Sequence, residues 1–309
     1  MKRTKHSPLL LKFICEERIL LRDFLKLKEI SRRALTAVKY DGGRILVNGV
    51  EQTVRWMLEC GDTIVIEFPP EEVAAGLTPE DGELAILDED DSILVVEKPV
   101  GQGTIPSWNQ PNGTLANAVA GKYLNDNHPA TVHVVTRLDT DTSGIVCIAK
   151  NRHIHHLLSV QMQRTGMDRR YIAFVNGWME DDSYQLELPI GRKEGSIIER
   201  VVRPDGQYAR TDVEVADRLL LNGRQFTVVK LRLYTGRTHQ IRVHMAHIGY
   251  PLLGDDLYGG PCELITRQAL HCALISFNHP STNQAVTYNS PLPTDMFTLL
   301  SLSTTYEVE

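Results

Sequence analysis

One short segment, residues 133–150 (HVVTRLDTDTSGIVCIAK), places a carboxylate and a cation just before an apolar run. Asp139 lies between Arg137 and a Thr-Ser-Gly turn at residues 142–144, and the following residues 145–149 predict a buried strand. A carboxylate at a point where water is excluded is costly unless it is paired, hydrogen-bonded or catalytic. A solvated turn is the plainer interpretation of a lone aspartate, so other segments must decide between the two.

Two further segments favour a catalytic role. Residues 95–107 (VVEKPVGQGTIPS) lead a strand into a Pro/Gly turn, and residues 234–244 (YTGRTHQIRVH) precede PLLGDDLYG at residues 251–259. In order and spacing, these segments together with RLDTDTSG resemble the RluA-type family of RNA pseudouridine synthases. The resemblance covers about residues 84–290, and its motifs are highly specific.

The resemblance implies an isomerisation in RNA. Uracil is detached from ribose at nitrogen, turned and rejoined through carbon 5, so the reaction requires neither a cofactor nor a metal. It also implies that Asp139 is the catalytic carboxylate, which is ionised at neutral pH and acts either on ribose carbon or on a ribose proton. The sequence leaves these two routes open.

The same resemblance assigns roles to neighbouring residues. Arg242 is expected to pair with Asp139, because a buried carboxylate needs a cation nearby to stay ionised. Tyr171 is expected to stack on the flipped uracil and to serve as a possible general base. Arg137 is expected to fill the gap left by the base, and on a strand it would share a face with Asp139. Substrate contacts are expected from the polar residues of the motifs: Arg137, Thr142, Arg237, His239 and Gln240.

Two positions depart from the family pattern. Thr136 stands where many members have a histidine before Arg-Leu-Asp, and Ile105 stands at another position often held by histidine. Neither change removes a group that the reaction needs, so we expect them to mark a subfamily.

The elements that must position these residues follow from hydrophobic patterning. Short β-branched runs such as GIVCIA and FTVVKLRLY alternate with helical stretches such as residues 153–163. This pattern predicts an α+β fold with a mixed, mainly antiparallel central sheet and flanking helices. A small α/β module precedes it. The predicted domains are residues 1–70, an acidic linker over 71–83, and a catalytic domain over 84–309.

The N-terminal module is predicted from local signals. Apolar residues around 20–27 have helical spacing, Ser31 is a candidate cap for a helix over 32–40, and Asn48-Gly49 predicts a hairpin. Residues 16–69 resemble the alpha-L RNA-binding domain first known from a small-subunit ribosomal protein. The resemblance implies RNA contacts from the basic helical face, namely Arg22, Arg32, Arg33 and Lys39.

Charge distribution supports this interpretation. The chain has 309 residues and a net charge of −6, yet residues 1–50 carry twelve Lys/Arg against five Asp/Glu. Residues 71–91 carry nine acidic and no basic side chains, which predicts a solvated, self-repelling and partly extended linker. A basic region within an acidic protein is typical of contact with a polyanion.

Composition bounds the remaining possibilities. No apolar run reaches the roughly 18 residues of a membrane span, and the N-terminal residues make a poor signal peptide. The five scattered cysteines show no C-x-x-C spacing, which favours reduced thiols in a cytoplasm.

Ribosomal RNA of the large subunit is the expected substrate, transfer RNA is an alternative, and a monomer is the default.

Two rival hypotheses stay open at this point. Histidines at 239, 244 and 247, and a second group at 153, 155 and 156, suggest a metal site, although no carboxylate ligand spacing accompanies them. Alternatively, the protein is a catalytically silent RNA-binding or ribosome-assembly factor. Such a binder would tolerate Asp139→Ala, whereas an enzyme would not.

Overall fold

The structure is a computed structural model that describes residues 10–71, 73–128, 130–164 and 166–305. Residues 1–9 lie outside the described residues. They include three of the twelve Lys/Arg counted over residues 1–50 and the first part of the segment predicted to be a poor signal peptide. Residues 306–309, at the end of the predicted catalytic domain, also lie outside the described residues.

The N-terminal module packs two helices against short strands. Its elements are β1 (Leu10–Ile14), β2 (Ile19–Leu20), α1 (Leu21–Leu27), α2 (Arg32–Tyr40), β3 (Arg44–Val47), β4 (Val50–Glu51), β5 (Met57–Leu58) and β6 (Thr63–Glu67). The helix predicted over residues 32–40 forms with those bounds, because the Ser31 side chain accepts a hydrogen bond from the Ala34 amide at 3.1 Å. The Asn48-Gly49 hairpin joins β3 to β4 as expected.

The rest of the described chain forms one large sheet with helices against it. Its eleven strands are β7 (Ala85–Glu89), β8 (Ile93–Lys98), β9 (His133–Val134), β10 (Ser143–Ala149), β11 (Asp168–Asn176), β12 (Ser183–Glu187), β15 (Arg210–Leu221), β16 (Arg224–Leu233), β17 (Leu270–Asn278), β18 (Ala285–Asn289) and β19 (Thr304–Thr305), while β13 (Ile190–Arg192) and β14 (Arg200–Val202) pair with each other in a separate two-stranded sheet. The helices are α3 (Leu115–Asn125), α4 (Arg152–Arg164), α5 (Gln240–His247) and α6 (Thr294–Leu302), and a 3-10 turn spans Asp256–Tyr258.

The main path of this sheet runs β12-β15-β16-β11-β17-β10-β8-β7. Neighbours on it are antiparallel except for β10 and β17, which are parallel. The predicted α+β class with a mixed, mainly antiparallel sheet is therefore confirmed. All seven residues of β10 are buried, which explains why that strand is a continuous apolar run rather than an alternating one.

The glycine of the TSG turn fits the centre of this sheet. Gly144 has φ +115°, and a Cβ on it would lie 2.3 Å from the carbonyl oxygen of Cys272 on β17. Only glycine permits both the positive φ and this approach of two backbones. The turn therefore brings the carboxylate loop directly to the strand that completes the sheet.

The two regions have separate hydrophobic clusters, one in the N-terminal module and three in the rest of the described chain. One lies within residues 15–68, and the main core draws its members from residues 93–277. Among its described residues, the acidic segment between them has no helix or strand before β7, and most of its residues are exposed. It is nevertheless attached to the second region, because Gly113 donates to the Glu80 carboxylate and the Asn117 amide donates to the Thr78 carbonyl. The linker and the domain boundaries stay predictions.

Candidate active site

A cavity of about 800 Å³ opens beside the central strands. Its lining comes from residues 103–110, from residues 135–142, from β11 and from the segment 233–242. The three segments singled out in the sequence therefore converge on one pocket. Its volume lies in the upper part of the range for sites that enclose a small organic ligand.

Asp139 lies at this cavity with its side chain 28% exposed. Its Oδ2 is 3.3 Å from Nη1 of Arg242, as the sequence predicted, and its backbone carbonyl accepts from the Thr142 amide at 3.1 Å. The carboxylate is thus half-buried and held by one charge-assisted contact, while the rest of it faces the pocket.

The orientation of Arg242 is set by a residue that the sequence reasoning did not assign to the site. Asp255 is fully buried and accepts two hydrogen bonds from Arg242, from Nε and from Nη2, each at 2.7 Å. Burial alone would lower the pKa of Arg242, but the Asp255 and Asp139 carboxylates raise it above its usual value. The guanidinium of Arg242 thus lies between the carboxylates of Asp255 and Asp139.

His239 approaches the same carboxylate from the start of α5. Its Nδ1 lies 2.8 Å from the Tyr258 hydroxyl, and its Nε2 lies 3.9 Å from Oδ2 of Asp139. The Tyr258 hydroxyl also accepts from the Arg200 amide at 3.0 Å, so it links the His239 ring to the backbone at the start of β14. Burial lowers the pKa of His239, although the charge of Asp139 acts in the opposite direction, and the ring is neutral at pH 7.

Tyr171 lines the cavity from β11 and is only 6% exposed. Burial raises the pKa of its phenol well above the usual value, so the hydroxyl keeps its proton at neutral pH. A neutral phenol presents an aromatic face and a hydrogen-bond donor. It is a poor general base, which removes physical support from one of the two roles considered for this tyrosine.

The expectation of a shared strand face for Arg137 and Asp139 is wrong. Residues 137–139 form a loop before β10, so they do not follow strand alternation. Arg137 is exposed at the cavity, whereas Asp139 is half-buried. The loop arises because it must turn before Gly144, where the backbone approaches β17.

Lys98 is a second residue that the sequence analysis did not assign to the site, and it holds this loop through a hydrogen bond to its backbone. Lys98 is completely buried at the end of β8, and its Nζ donates to the carbonyls of Pro99 and Gln102 at 2.7 Å and of Thr140 at 2.9 Å. Burial lowers the pKa of Lys98 to about 8. Since Thr140 follows Asp139, this ammonium connects the first motif to the loop that carries Asp139. The sequence signal that could have identified Lys98 is its place in the Glu-Lys-Pro string at residues 97–99 of the first motif.

The remaining predicted substrate residues divide into two groups. Arg237 and His239 line the cavity and retain exposed surface. Thr142 and Gln240 also line it but are buried. Gln240 accepts from the Thr235 hydroxyl and the Arg237 amide and donates to Arg210 and Thr211, which occupies its amide completely. Gln240 therefore shapes the loop before α5 and has no polar atom left for a ligand.

The predicted RNA-binding residues lie on the other module. Arg22 is exposed on α1, and α2 exposes three cations at Arg32, Arg33 and Lys39. The apolar face of α2 is buried through Ala34 and its neighbours. The structure thus gives this helix a basic outer face, and contact with RNA stays a prediction.

The two departures from the family pattern have different environments. Thr136 is buried, and its hydroxyl accepts from the Cys147 amide at 2.9 Å, which fixes the entry to the catalytic loop. Ile105 lines the cavity and is 40% exposed. The first is therefore structural, whereas the second contributes an apolar surface to the pocket.

The metal hypothesis finds no geometric support among the residues that the structure describes. There, no three His, Cys, Asp or Glu side chains are arranged to hold a metal ion. His244 uses both ring nitrogens within the protein, at 3.0 Å from the Thr211 hydroxyl and 2.9 Å from the Leu188 carbonyl. In the same part of the chain, no helix is both long and apolar enough to cross a membrane.

Comparison with known proteins identifies the family of the chain. The family described as RNA pseudouridylate synthase matches residues 92–247. An uncharacterized RNA pseudouridine synthase of Bacillus subtilis, YjbO, is 45% identical over 271 residues, which cover 88% of this chain and 94% of the relative. Ribosomal large subunit pseudouridine synthase D of Pseudomonas aeruginosa is 35% identical and covers 84% of each chain. The fold also resembles that of human RNA Pseudouridylate Synthase Domain Containing 1, with a TM-score of 0.59 at 22% identity over 74% of this chain and 93% of that one.

The chain belongs to the RNA pseudouridine synthase family. It is an isomerase that acts on RNA, as the motifs predicted, and the names of its relatives agree with the RluA type.

Proposed function

We propose that this enzyme converts specific uridines to pseudouridine in large-subunit ribosomal RNA, with Asp139 as the essential carboxylate. The observation that carries the proposal is the half-exposed carboxylate at the cavity, 3.3 Å from an arginine that is itself fixed by a buried aspartate. The name of the Pseudomonas aeruginosa relative supports the choice of RNA. Transfer RNA is the second substrate to test.

Asp139 acts as an anion in either route open to it. It attacks the ribose carbon as the glycosidic bond breaks, or it accepts a ribose proton while the same positive charge develops. Arg242 positions the carboxylate in both routes, because its own orientation is fixed by the two hydrogen bonds that Nε and Nη2 donate to Asp255. Since electrons are neither gained nor lost, we propose that the reaction uses no cofactor and no metal.

The target base must leave its stack to reach this carboxylate. Unstacking costs a few kcal/mol and is cheapest in a loop or bulge. Tyr171 offers an aromatic face in the pocket, and stacking is worth about 1–3 kcal/mol per base. Arg137 is exposed next to Asp139, where a long cationic side chain can fill the space that the base vacates. Tyr171 therefore recognises the base, and the proton transfers fall to other groups.

The N-terminal module supplies phosphate contacts in this proposal. Arg22, Arg32, Arg33 and Lys39 are all exposed, and exposed cations release counterions when they bind a polyanion. These contacts position the RNA without reading its sequence. We further propose that the enzyme works as a monomer in the cytoplasm, in keeping with its five free thiols.

The test is release of tritium from RNA labelled at carbon 5 of uracil, because this carbon becomes the glycosidic carbon. Parent protein, Asp139→Ala and Asp139→Asn are compared on ribosomal and transfer RNA, with Asp141→Asn as a matched control on the same loop. We expect release by the parent and by the control, and none by the Asp139 variants, which still fold and bind RNA. Release by an Asp139 variant would remove this residue from the mechanism. Release by no protein on either RNA would favour a silent binding or assembly factor.

A further inference from the structure

Four Lys or Arg side chains are buried in the part of the chain that the structure describes. Three of them have full sets of partners. Lys98 is surrounded by three carbonyl oxygens, and Arg242 and Arg267 each form a two-pronged ion pair with an aspartate. Arg169 is the fourth, and its surroundings differ.

Arg169 is 6% exposed, yet it lacks a counter-charge. Its Nη2 donates to the carbonyl of Thr235 at 3.1 Å, while its buried Nε has no acceptor. Among the described residues, no carboxylate oxygen lies within ion-pairing distance of its guanidinium. A buried guanidinium without a counter-charge is unfavourable. Its Nε is shielded from solvent, so a ligand would meet the part of the guanidinium that lines the cavity.

The side chain lies where a ligand would reach it. Arg169 and Tyr171 are two residues apart on β11, so they share one face of the sheet, and both line the cavity. Arg170 between them is exposed on the other face, where it pairs with Asp168. The guanidinium therefore lies beside the aromatic ring proposed to receive the base.

The glycine of the TGRTHQIR motif leaves space for this side chain. A Cβ at Gly236 would lie 3.0 Å from Nη1 of Arg169, which is tighter than an ordinary contact. The backbone of Thr235 and Gly236 thus borders the guanidinium on one side and leaves its cavity side open. The motif holds Arg169 in the pocket as well as placing Arg242.

We propose that Arg169 donates hydrogen bonds to a carbonyl oxygen of the flipped uracil and stabilises the negative charge that this base acquires. The inference rests on the proposed function. When the N1–C1′ bond breaks, its electron pair stays on uracil and spreads to the carbonyl oxygens. Carbon 5 then uses an electron pair of the base to bond to C1′, its proton passes to water, and N1 is protonated. The uracil charge exists only during the reaction, so this contact lowers the barrier more than it strengthens binding.

A base is the better partner than a phosphate. The base is the part of an extruded nucleotide that enters deepest, and Arg169 lies at the depth of the buried Tyr171. A phosphate stays with the backbone at the mouth of the pocket, where Arg137 is exposed. The contact is therefore with uracil oxygen.

The experiment combines variants of the enzyme with single-atom changes in the substrate. Arg169→Met, Arg169→Lys and parent are compared on RNA whose target is uridine, 2-thiouridine or 4-thiouridine, with nucleoside analysis of the digested product. Arg170→Met, the exposed neighbour, is the matched control. We expect Arg169→Met to lower kcat about a hundredfold with little change in KM. We also expect one of the two thio substitutions to slow the parent and Arg170→Met strongly, and Arg169→Met hardly at all.

Equal sensitivity of the parent and Arg169→Met to both thio substitutions would overturn the proposal, because the guanidinium would then touch neither oxygen. If Arg169→Met does not fold, Arg169→Lys carries the same comparison and must respond less than the parent. A parent that modifies no RNA removes the proposed function as well. An active parent with equally sensitive variants removes this inference alone.

Discussion

The basic residues of the N-terminal module and those of the pocket have opposite environments. On α1 and α2 the cations are exposed, and Arg22 has only a surface contact with Asp23 at 3.5 Å. Arg242 at the pocket and Lys98 behind the Asp139 loop are buried, and each meets several fixed partners. The first arrangement leaves charge available to a polyanion at any angle, and the second uses charge to fix atoms in position.

This difference separates two kinds of sensitivity. Exposed cations contribute affinity that falls as salt rises, because counterion release drives the binding. Buried pairs are screened far less, and removing one partner leaves an uncompensated charge. Variants of the exposed cations should therefore change the salt dependence of RNA affinity, whereas variants of the buried pairs should change the free energy of unfolding and turnover.

The largest effect is expected for Asp255→Asn, which breaks the buried pair with Arg242. Loss of one partner of such a pair costs about 3–5 kcal/mol in the free energy of unfolding. It also releases the guanidinium that positions Asp139, so turnover should fall with it. Urea unfolding and tritium release measure both effects. Asp256→Asn, at the exposed neighbouring position, is the control, and equal behaviour of the two variants would contradict the positioning role.

A similar loss is expected for Lys98→Met, which leaves three carbonyls without their donor. Each unsatisfied buried group costs about 1–3 kcal/mol, so the variant should lose about 3 kcal/mol or more. Turnover should fall too, because Thr140 adjoins Asp139. Differential scanning calorimetry together with the activity assay tests this, and an unchanged melting temperature would show that the ammonium is not structural.

The same residue makes a prediction about pH. Burial lowers the pKa of Lys98 to about 8 in the folded protein, against 10.5 for an unperturbed lysine. Between these values the unfolded chain binds more protons at this site than the folded one, so the contribution of Lys98 to stability rises with pH. The stability advantage of the parent over Lys98→Met should therefore widen from pH 7.5 to pH 9.5 in urea unfolding. A gap that narrows would contradict the lowered pKa.

A smaller effect, confined to RNA binding, is expected for Arg32→Gln with Arg33→Gln. The double variant should bind RNA more weakly, and the log–log slope of affinity against salt should flatten by roughly 1.4–1.8 for two lost phosphate contacts. Filter binding over a salt series measures this. Arg224→Gln with Lys230→Gln removes two exposed cations from the sheet and serves as the control. Identical slopes for the parent and the α2 variant would exclude the module from RNA binding.

The smallest effect is expected for Ser31→Ala. The Ser31 side chain caps α2 at the Ala34 amide, and loss of such a cap costs about 1 kcal/mol. This change leaves every cation in place, so any fall in RNA affinity would come from fraying of the helix that carries them. Thermal unfolding measures the loss of stability, and RNA binding at one salt concentration measures any loss of affinity. An unaltered unfolding curve would mean that the cap contributes nothing to stability.

Local signals in the sequence predicted local structure well. The bounds of α2, the hairpin after β3 and the buried strand β10 all follow from caps, turns and periodicity. The pairing of Arg242 with Asp139 was predicted only through the resemblance of motifs, since more than a hundred residues separate the two.

What the sequence could not show depends on register between distant strands. Arg169 lies beside the segment 233–242 because β11 pairs with β16, and the segment before Asp255 is held by contacts of Pro251 and Leu252 with β11. The loop at residues 137–139 was misjudged for the same reason, because the approach of Gly144 to β17 forces the turn. The role of each of these residues can be predicted only once its neighbours in the folded structure are known.

The place of β17 also sets the order in which the protein becomes competent. This strand lies between β10 and β11, although it is made about a hundred residues after them. The N-terminal module, whose core lies within residues 15–68, has the contacts it needs early in synthesis. The pocket forms only when β17 pairs with β10 on one side and with β11 on the other. Until then, each of these two strands lacks this partner. The chain on the ribosome therefore passes through a stage in which the N-terminal module can fold and the pocket is not yet formed, and this late, non-local pairing makes its folding slow.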